Sequence, residues 1–553
     1  MPRTIRVCSR RRSAARSTTW ELAAQVVGTV RSALSLRAFG WVLLVSVLTV
    51  ATAHPQCTVS EMQKITAAGA AREDHFGTSI AVAGEELLIG AYADDDAGTW
   101  AGSASIYRFD GYAWTFEQKL LASDAQPGDA FGVAAALDDA VAVVGAANPY
   151  LGIGAGAVYV YRFNGSQWIE EQKLTASDAE TGDWFGYSVA IDGDIILVGA
   201  WGADDVCPTD PLCDSGAAYV YRFSGSQWIE EQKLTASDAE RGDVYGLDVS
   251  LSGGVALISA HWDDDACPSN PLCDSGSAYV YRYDGNQWVQ EAKLTAGDAS
   301  ASDGFSRATA LDGAVLHGEV ALIGAPFDSD AGGESGTAYV FRYDGQTWIE
   351  EQKLAASDAA AGDRFGLALA LGGGTALISA YLDDNGEANA GSAYVFHDTD
   401  GIWSQKQKLV ASDGAFEDRF GLSVSLSAPD NIAVIGTPWD DTAELDEGSA
   451  YVFPALPDLA LWADPLTVSV GTPLSFRTAY GDPGDPAMLV VVAVNGVPTF
   501  TRVTSGAFGA DLTWTLSGTV PPGFTGFTAT FRSYGLTRCG PADATNDQIV
   551  TFQ

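Results

Sequence analysis

Positive charge is what this sequence has least of: 30 Lys and Arg stand against 71 Asp and Glu, a formal net charge of -41. Eight of the arginines lie before residue 54 beside a single acid, Glu21, so the remainder carries 22 basic against 70 acidic groups. Nucleic acid is excluded as a partner, because binding it requires basic surface that displaces counterions. Cations and basic surfaces suit such a chain better. Histidine is scarce too, five residues scattered along the chain, of which only His261, next to Asp263, Asp264 and Asp265, stands in a notable place. No H-E-x-x-H, nucleophile elbow, phosphate loop or dinucleotide fingerprint is present, which argues against the enzymes those motifs mark. Long hydrophobic runs are absent after residue 53. The mature chain is therefore expected to lack a transmembrane segment.

The one run that exists, "FGWVLLVSVLTVATA", follows the arginine-rich leader and ends in small residues at Ala51 and Ala53. Residues 1–53 read as an export signal, with an uncleaved anchor as the alternative. Secreted, periplasmic and cell-surface locations all fit. Export gives the cysteines their meaning. Cys8 lies in the leader, and four of the other six form two similar loops, "CPTDPLC" from Cys207 to Cys213 and "CPSNPLC" from Cys267 to Cys273. Each reads as a local disulfide, with zinc as the rival reading. Cys57 and Cys539 remain to pair with each other.

What the chain has in plenty is glycine, 61 residues, and apolar residues, 47%, the profile of short strands joined by tight turns. Phe-Gly steps recur at Phe76-Gly77, Phe131-Gly132, Phe185-Gly186, Phe365-Gly366 and Phe420-Gly421, with degenerate copies at Tyr245-Gly246 and Phe305-Ser306. These seven copies stand 54 to 60 residues apart, long enough for the four strands of a propeller blade. In the third copy "FGYSVAI", "IILVGAW", "AAYVYRF" and "WIEEQKLT" supply strands A to D. The seventh copy ends at "SAYVF" with no strand D after it, while "EMQKITA" (residues 61–67) stands alone ahead of the first copy and matches "EQKLTA". This N-terminal segment is expected to complete blade seven, removing an unpaired edge. The fold class is all-β: a seven-bladed propeller over 54–455, followed over 456–553 by a small immunoglobulin-like β-sandwich suggested by alternating stretches such as "LTVSV" and "LVVVAV".

These repeats resemble the FG-GAP repeats of the integrin α-subunit propeller and of many secreted bacterial proteins. The resemblance implies the fold and leaves the ligand open. Family members of the integrin type hold calcium in an Asp-rich A–B hairpin. Here the corresponding turns, such as "IDGD" and "LGGG", are short and poor in carboxylates, so those sites do not carry over.

The acids lie elsewhere. Strand direction puts B–C and D–A loops on one face. The B–C loops carry Asp94, Asp95 and Asp96; Asp204 and Asp205; Asp263, Asp264 and Asp265; Asp328 and Asp330; Asp383 and Asp384; and Asp440 and Asp441. The D–A loops add Asp124, Asp178, Asp238, Asp358 and Asp413, and the "GD" acids Asp129, Asp183, Asp243 and Asp363. Two readings stand. Calcium could bridge the B–C acids from several blades, or Asp recurs because it closes turns and a repeat copies a useful turn. The triplet Arg241-Gly242-Asp243 occupies a slot that reads "TGD", "PGD" or "AGD" in other copies, which is repeat drift. Trp114, Trp168, Trp228, Trp288, Trp348 and Trp403 open successive D strands and read as packing residues.

The functional expectation is a monomeric, exported binding or adhesion scaffold, not an enzyme, whose acidic loop face meets an extracellular protein or glycan, with calcium as its candidate cofactor. The alternatives are a polysaccharide-active enzyme or lectin with a site near the axis, and a structural envelope protein.

Overall fold

A computed structural model describes residues 60–69, 71–148, 154–204, 213–264, 273–313, 318–441 and 445–455, together with the backbone of short strands after 455. Seven four-stranded antiparallel sheets form the blades of a propeller. Blade one runs Ile80–Ala83, Glu86–Ala91, Ser103–Phe109 and Trp114–Leu120, and the next five blades repeat that order. Blade seven takes Ser423–Ser427, Ile432–Thr437 and Ser449–Pro454 from the end of the ring and its outer strand, Gln63–Ile65, from the beginning. The register is Gln63 to Val452, Lys64 to Tyr451 and Ile65 to Ala450. The expected closure is thus present, through three residues.

Each strand's sequence fits its place. The B strands are continuous apolar runs because sheets cover both their faces: every residue of Val141–Ala146 and of Ile195–Ala200 is buried. In blades one to four the outer D strands bury their first and last residues, Trp228 and Leu234 for example, and Ile229 is exposed. Between C and D, the register skips one residue in each of blades one to six, as at Val220/Tyr221 in blade three. Such a bulge is invisible to an alternating pattern.

The Phe-Gly step joins one blade to the next. Phe185 is fully buried and meets Tyr219 edge-on at 5.4 Å. Its amide donates to the Ala155 carbonyl of the preceding blade at 2.8 Å. Gly186 has φ +93, and its carbonyl lies 1.9 Å from where a Cβ on Gly145 would sit. Glycine is required on both sides of that contact, once for conformation and once for space. This is the physical content of the paired Phe-Gly and Gly-Ala steps.

A second seam device is a glutamine clamp. Gln172 Nε2 donates to the Trp228 carbonyl at 2.8 Å while its Oε1 accepts from the Trp228 amide at 2.8 Å. Gln63, Gln118, Gln232 and Gln352 bind Trp114, Trp168, Trp288 and Trp403 in the same way. The corresponding residue of blade four is Ala292, so Trp348 receives no clamp.

After the ring, Pro486–Val494, Val497–Ala507, Thr528–Tyr534 and Ala544–Thr551 form one antiparallel sheet, and Leu461–Trp462 pairs with Arg477–Thr478. A second face for the expected sandwich falls outside the described residues, as does the leader. No helix among the described residues is long and apolar enough to cross a membrane.

Ala292→Gln should restore the missing clamp and stabilise the ring by about 1 kcal/mol, the net yield of two hydrogen bonds less the ordering of one side chain. Gln232→Ala should cost a similar amount. Urea denaturation at fixed pH checks both, and an unaltered midpoint for the two variants would refute the clamp.

Candidate functional site

The acids on the loop face have partners from the sheets below. In blade seven, Tyr451 Oη donates to Asp413 at 2.7 Å and Asp440 at 3.0 Å, and Lys64 Nζ reaches the same carboxylates at 2.9 and 2.6 Å. Lys293 joins Asp238 and Asp263, Lys353 joins Asp298 and Asp328, and Lys408 joins Asp358 and Asp383, each with a strand C tyrosine alongside. Lys119 meets Asp94 in blade one. In blades two and three Lys173 meets Asp124 and Lys233 meets Asp178. Each lysine belongs to one blade and its D–A acid to the loop entering that blade, so the node fastens the loop to the sheet. Hydrogen bonds from Lys173 and Tyr159 hold Asp124 below the usual carboxylate range. For Asp178, Asp298, Asp358 and Asp413, burial pulls upward, but the lysine and tyrosine outweigh it and the net shift is down.

The remaining B–C acids shape their own loops. Asp95 accepts from the Trp100 amide at 2.7 Å, Asp384 from Asn389 at 3.0 Å, Asp441 from Asp446 at 2.8 Å and Asp204 from Asp214 at 2.9 Å. Asp96 and Asp330 project outward, each held by its blade's lysine. Asp264 has a protein partner of its own. Among the described residues, no group of three or more His, Cys, Asp or Glu could hold a metal ion. Asp205 and Asp265 lie outside the described residues. So do Cys57, Cys207, Cys267 and Cys539, while Cys213 and Cys273 are buried and disulfide-bonded.

The "GD" acids close the D–A turns. Asp183 accepts from the Glu180 amide at 2.7 Å and Asp243 from Glu240 at 2.6 Å, with Asp74, Asp129, Asp303, Asp363 and Asp418 doing the same. Burial raises Asp74, Asp183 and Asp418 to about 6 and Asp243 to about 7. Asp243, the acid of the Arg-Gly-Asp triplet, is 5% exposed, so the triplet is a turn and not an adhesion loop. The D-strand tryptophans are packing residues: Trp168 is buried against Phe163, ring centroids 5.5 Å apart, and Trp228 against Phe223 at 5.2 Å.

What the sequence reading missed stands at the loop-face ends of the two innermost strands, just before each Phe-Gly step and just after each B strand. There the blades differ. His75 stacks on Tyr92 at 5.3 Å with Trp439 tilted against it, and Arg419 lies over Trp439 at 4.6 Å. Trp184 meets Trp201 at 4.1 Å. Arg364 lies over Phe327 at 5.0 Å and donates to Tyr381 Oη at 2.9 Å. His261 packs between Trp262 and Phe327. Half-buried aromatic rings and arginines thus form a collar around the loop-face mouth of the ring. The signal was available: at these slots the copies read His, Ala, Trp, Val, Gly, Arg and Arg (positions 75, 130, 184, 244, 304, 364 and 419) where the neighbouring positions repeat.

A family model for the FG-GAP repeat matches residues 59–107, 114–161, 168–221, 228–281, 288–341, 348–396 and 403–453. No curated protein matches the sequence. Among solved structures, the crystal structure of Saccharomyces cerevisiae Sqt1 is similar over 72% of this chain and 99% of its own, at 11% identity and a TM-score of 0.39.

The two sets of aspartates oppose each other with pH. The raised group is more protonated folded than unfolded between about pH 4 and 7, so its contribution to stability falls as pH rises through that window. The lowered group stabilises above its unfolded value and loses that contribution in stronger acid. The thermal midpoint should therefore peak near pH 4 and decline toward about pH 7. Asp243→Asn, which keeps the acceptor, should flatten the decline; an identical slope in the variant would refute the assignment.

Proposed function

The chain belongs to the FG-GAP repeat family, and on that premise we propose that it is an exported binding scaffold, not an enzyme, whose loop-face collar holds an extracellular protein or glycan. FG-GAP propellers are in general binding scaffolds. The observation that carries the reading is the inequality of the collar: aromatic and arginine side chains differ from blade to blade over a framework that repeats. Aromatic rings and arginine supply contact area, stacking and hydrogen bonding at little entropic cost, which is what a recognition surface needs. The described loop acids named above already have lysine, tyrosine or amide partners, so the reading does not require calcium. It also does not require catalysis, since the acid nodes recur by symmetry where a reaction needs one singular constellation.

Binding of the mature chain to arrays of extracellular proteins and glycans tests this. Trp201→Ala and Trp439→Ala should each weaken a captured ligand about tenfold, the scale of an aromatic contact residue, with an unchanged melting midpoint. Ile229→Ser, on an outer strand, should change nothing. Ligand binding indifferent to both tryptophans would overturn the collar, and turnover of a captured glycan would favour the enzyme. Millimolar calcium should leave both melting and binding unaltered; a calcium-dependent shift would restore the cation to the mechanism.

A further inference from the structure

One seam of the seven departs from the others at three points. Between blades four and five the Gly-Gly contact is replaced on both sides: Ser259 stands in the place of the Gly-Ala glycine, as Ser379 does in blade six, and Ser306 alone among the seven copies replaces the Phe-Gly glycine. The glutamine clamp across the same seam is Ala292. A cavity of about 610 Å³ opens there on the loop face.

Its lining is not that of a generic groove. His261, Trp262 and Phe327 supply three rings, and Trp262 is 51% exposed. His261 is 3% exposed, its Nδ1 has no hydrogen-bond partner, and burial lowers its pKa to about 3, so the ring lines the cavity as a neutral group. Six carboxylates also line the cavity, among them Asp274, Asp303 and Glu334, and no lysine or arginine does. Lys353 reaches Asp298, Asp328 and Asp330, Arg364 reaches Glu334, and Arg307 lies near His261. Burial pushes Asp303 toward its protonated form, and three cations do not balance the five acids that remain. An aromatic wall beside uncompensated carboxylates selects a cation that is itself flat or extended and weakly hydrated, because stacking and charge are then satisfied together. Arg364 over Phe327 is an example of that pairing within the chain. A bare metal ion is disfavoured, since no three of the described ligating groups converge.

We propose that this cavity is a binding site for an organic cation, a guanidinium or alkylammonium group, carried on a protein partner's basic side chain or on a free polyamine. The proposal rests on the loop-face reading above and names the chemistry of one part of that face.

Titration of the full mature chain with an arginine-containing peptide, spermidine and a neutral oligosaccharide, followed by tryptophan fluorescence and calorimetry, tests it. Saturable binding of a cationic probe should weaken with added salt and fall about tenfold or more in Trp262→Ala and in Asp274→Lys. Asp110→Asn, at a C–D turn on the other face, should bind as the parent does. Tighter binding of the peptide points to a protein source and tighter binding of spermidine to a free amine, and either supports the site. Cation binding unaltered in both cavity variants, no saturable binding, or binding of the neutral oligosaccharide alone would overturn it. An array ligand that depends on Trp201 or Trp439 without any cation binding would end this proposal and leave the collar standing; cation binding without such a ligand would do the reverse.

Discussion

The ring stays shut through Gln63, Lys64 and Ile65, three residues that each perform one of the tasks repeated at other seams. Gln63 clamps the backbone of Trp114 in blade one. Lys64 joins Asp413 and Asp440. Ile65 is buried in the same cluster as Phe76, Ile432 and Val452. Just before them, Glu61 accepts from Ser412, as Glu170 and Glu230 accept from Ser123 and Ser177 at other seams. A propeller has no other means of removing its last edge, because each blade covers only its neighbours. The strand is short, yet it brings polar, ionic and apolar contacts to one place, and closure is as specific as any other seam.

The same logic explains why so acidic a chain folds. A lysine in each D strand, seven in all, sits beneath the loop face and meets one to three carboxylates. Arginines at the ends of the C strands do similar work lower down, Arg162 and Arg222 pairing with Glu171 and Glu231 while lying over Phe223 and Tyr283 of the next blade. Scarce positive charge is concentrated where it fastens loops and seams, and the excess acid is left to water. The loop aspartates are therefore not one population: Asp124 and Asp413, facing lysine, are held below the usual carboxylate range, while burial raises Asp183 and Asp243, which close turns, above it.

Much of this was legible because a repeat states its rules seven times. The period, the Phe-Gly step and the stranded "EMQKITA" sufficed for the blade count and the closure, since both depend on local patterns and on counting. The role of the acids was not legible. Asp124 and Lys173 are 49 residues apart, Asp178 and Lys233 55, and nothing in either neighbourhood marks the other as its partner. A cluster of aspartates looks the same in sequence whether it awaits a cation or already has one. The collar escaped for the opposite reason: aligning the copies draws attention to the positions that agree, and binding residues occupy those that do not. His261 stood out beside its acids, but its aromatic neighbours came together only through the fold.

Symmetry and function pull in different directions in such a ring. Equal seams give the most stable disc, since each repeats the best glycine contact, the clamp and the ion node. Recognition needs a place unlike the others. The seam between blades four and five has given up both glycines and the clamp, and the loops of the same two blades line a cavity with a buried, unsatisfied imidazole nitrogen. Burying a polar atom without a partner destabilises, as does opening space between close-packed sheets. A closed ring tolerates such a defect better than an open array, because the two blades remain tied to each other through the five other seams and the closure strand. The weakest seam is thus the one the architecture can most readily commit to a ligand.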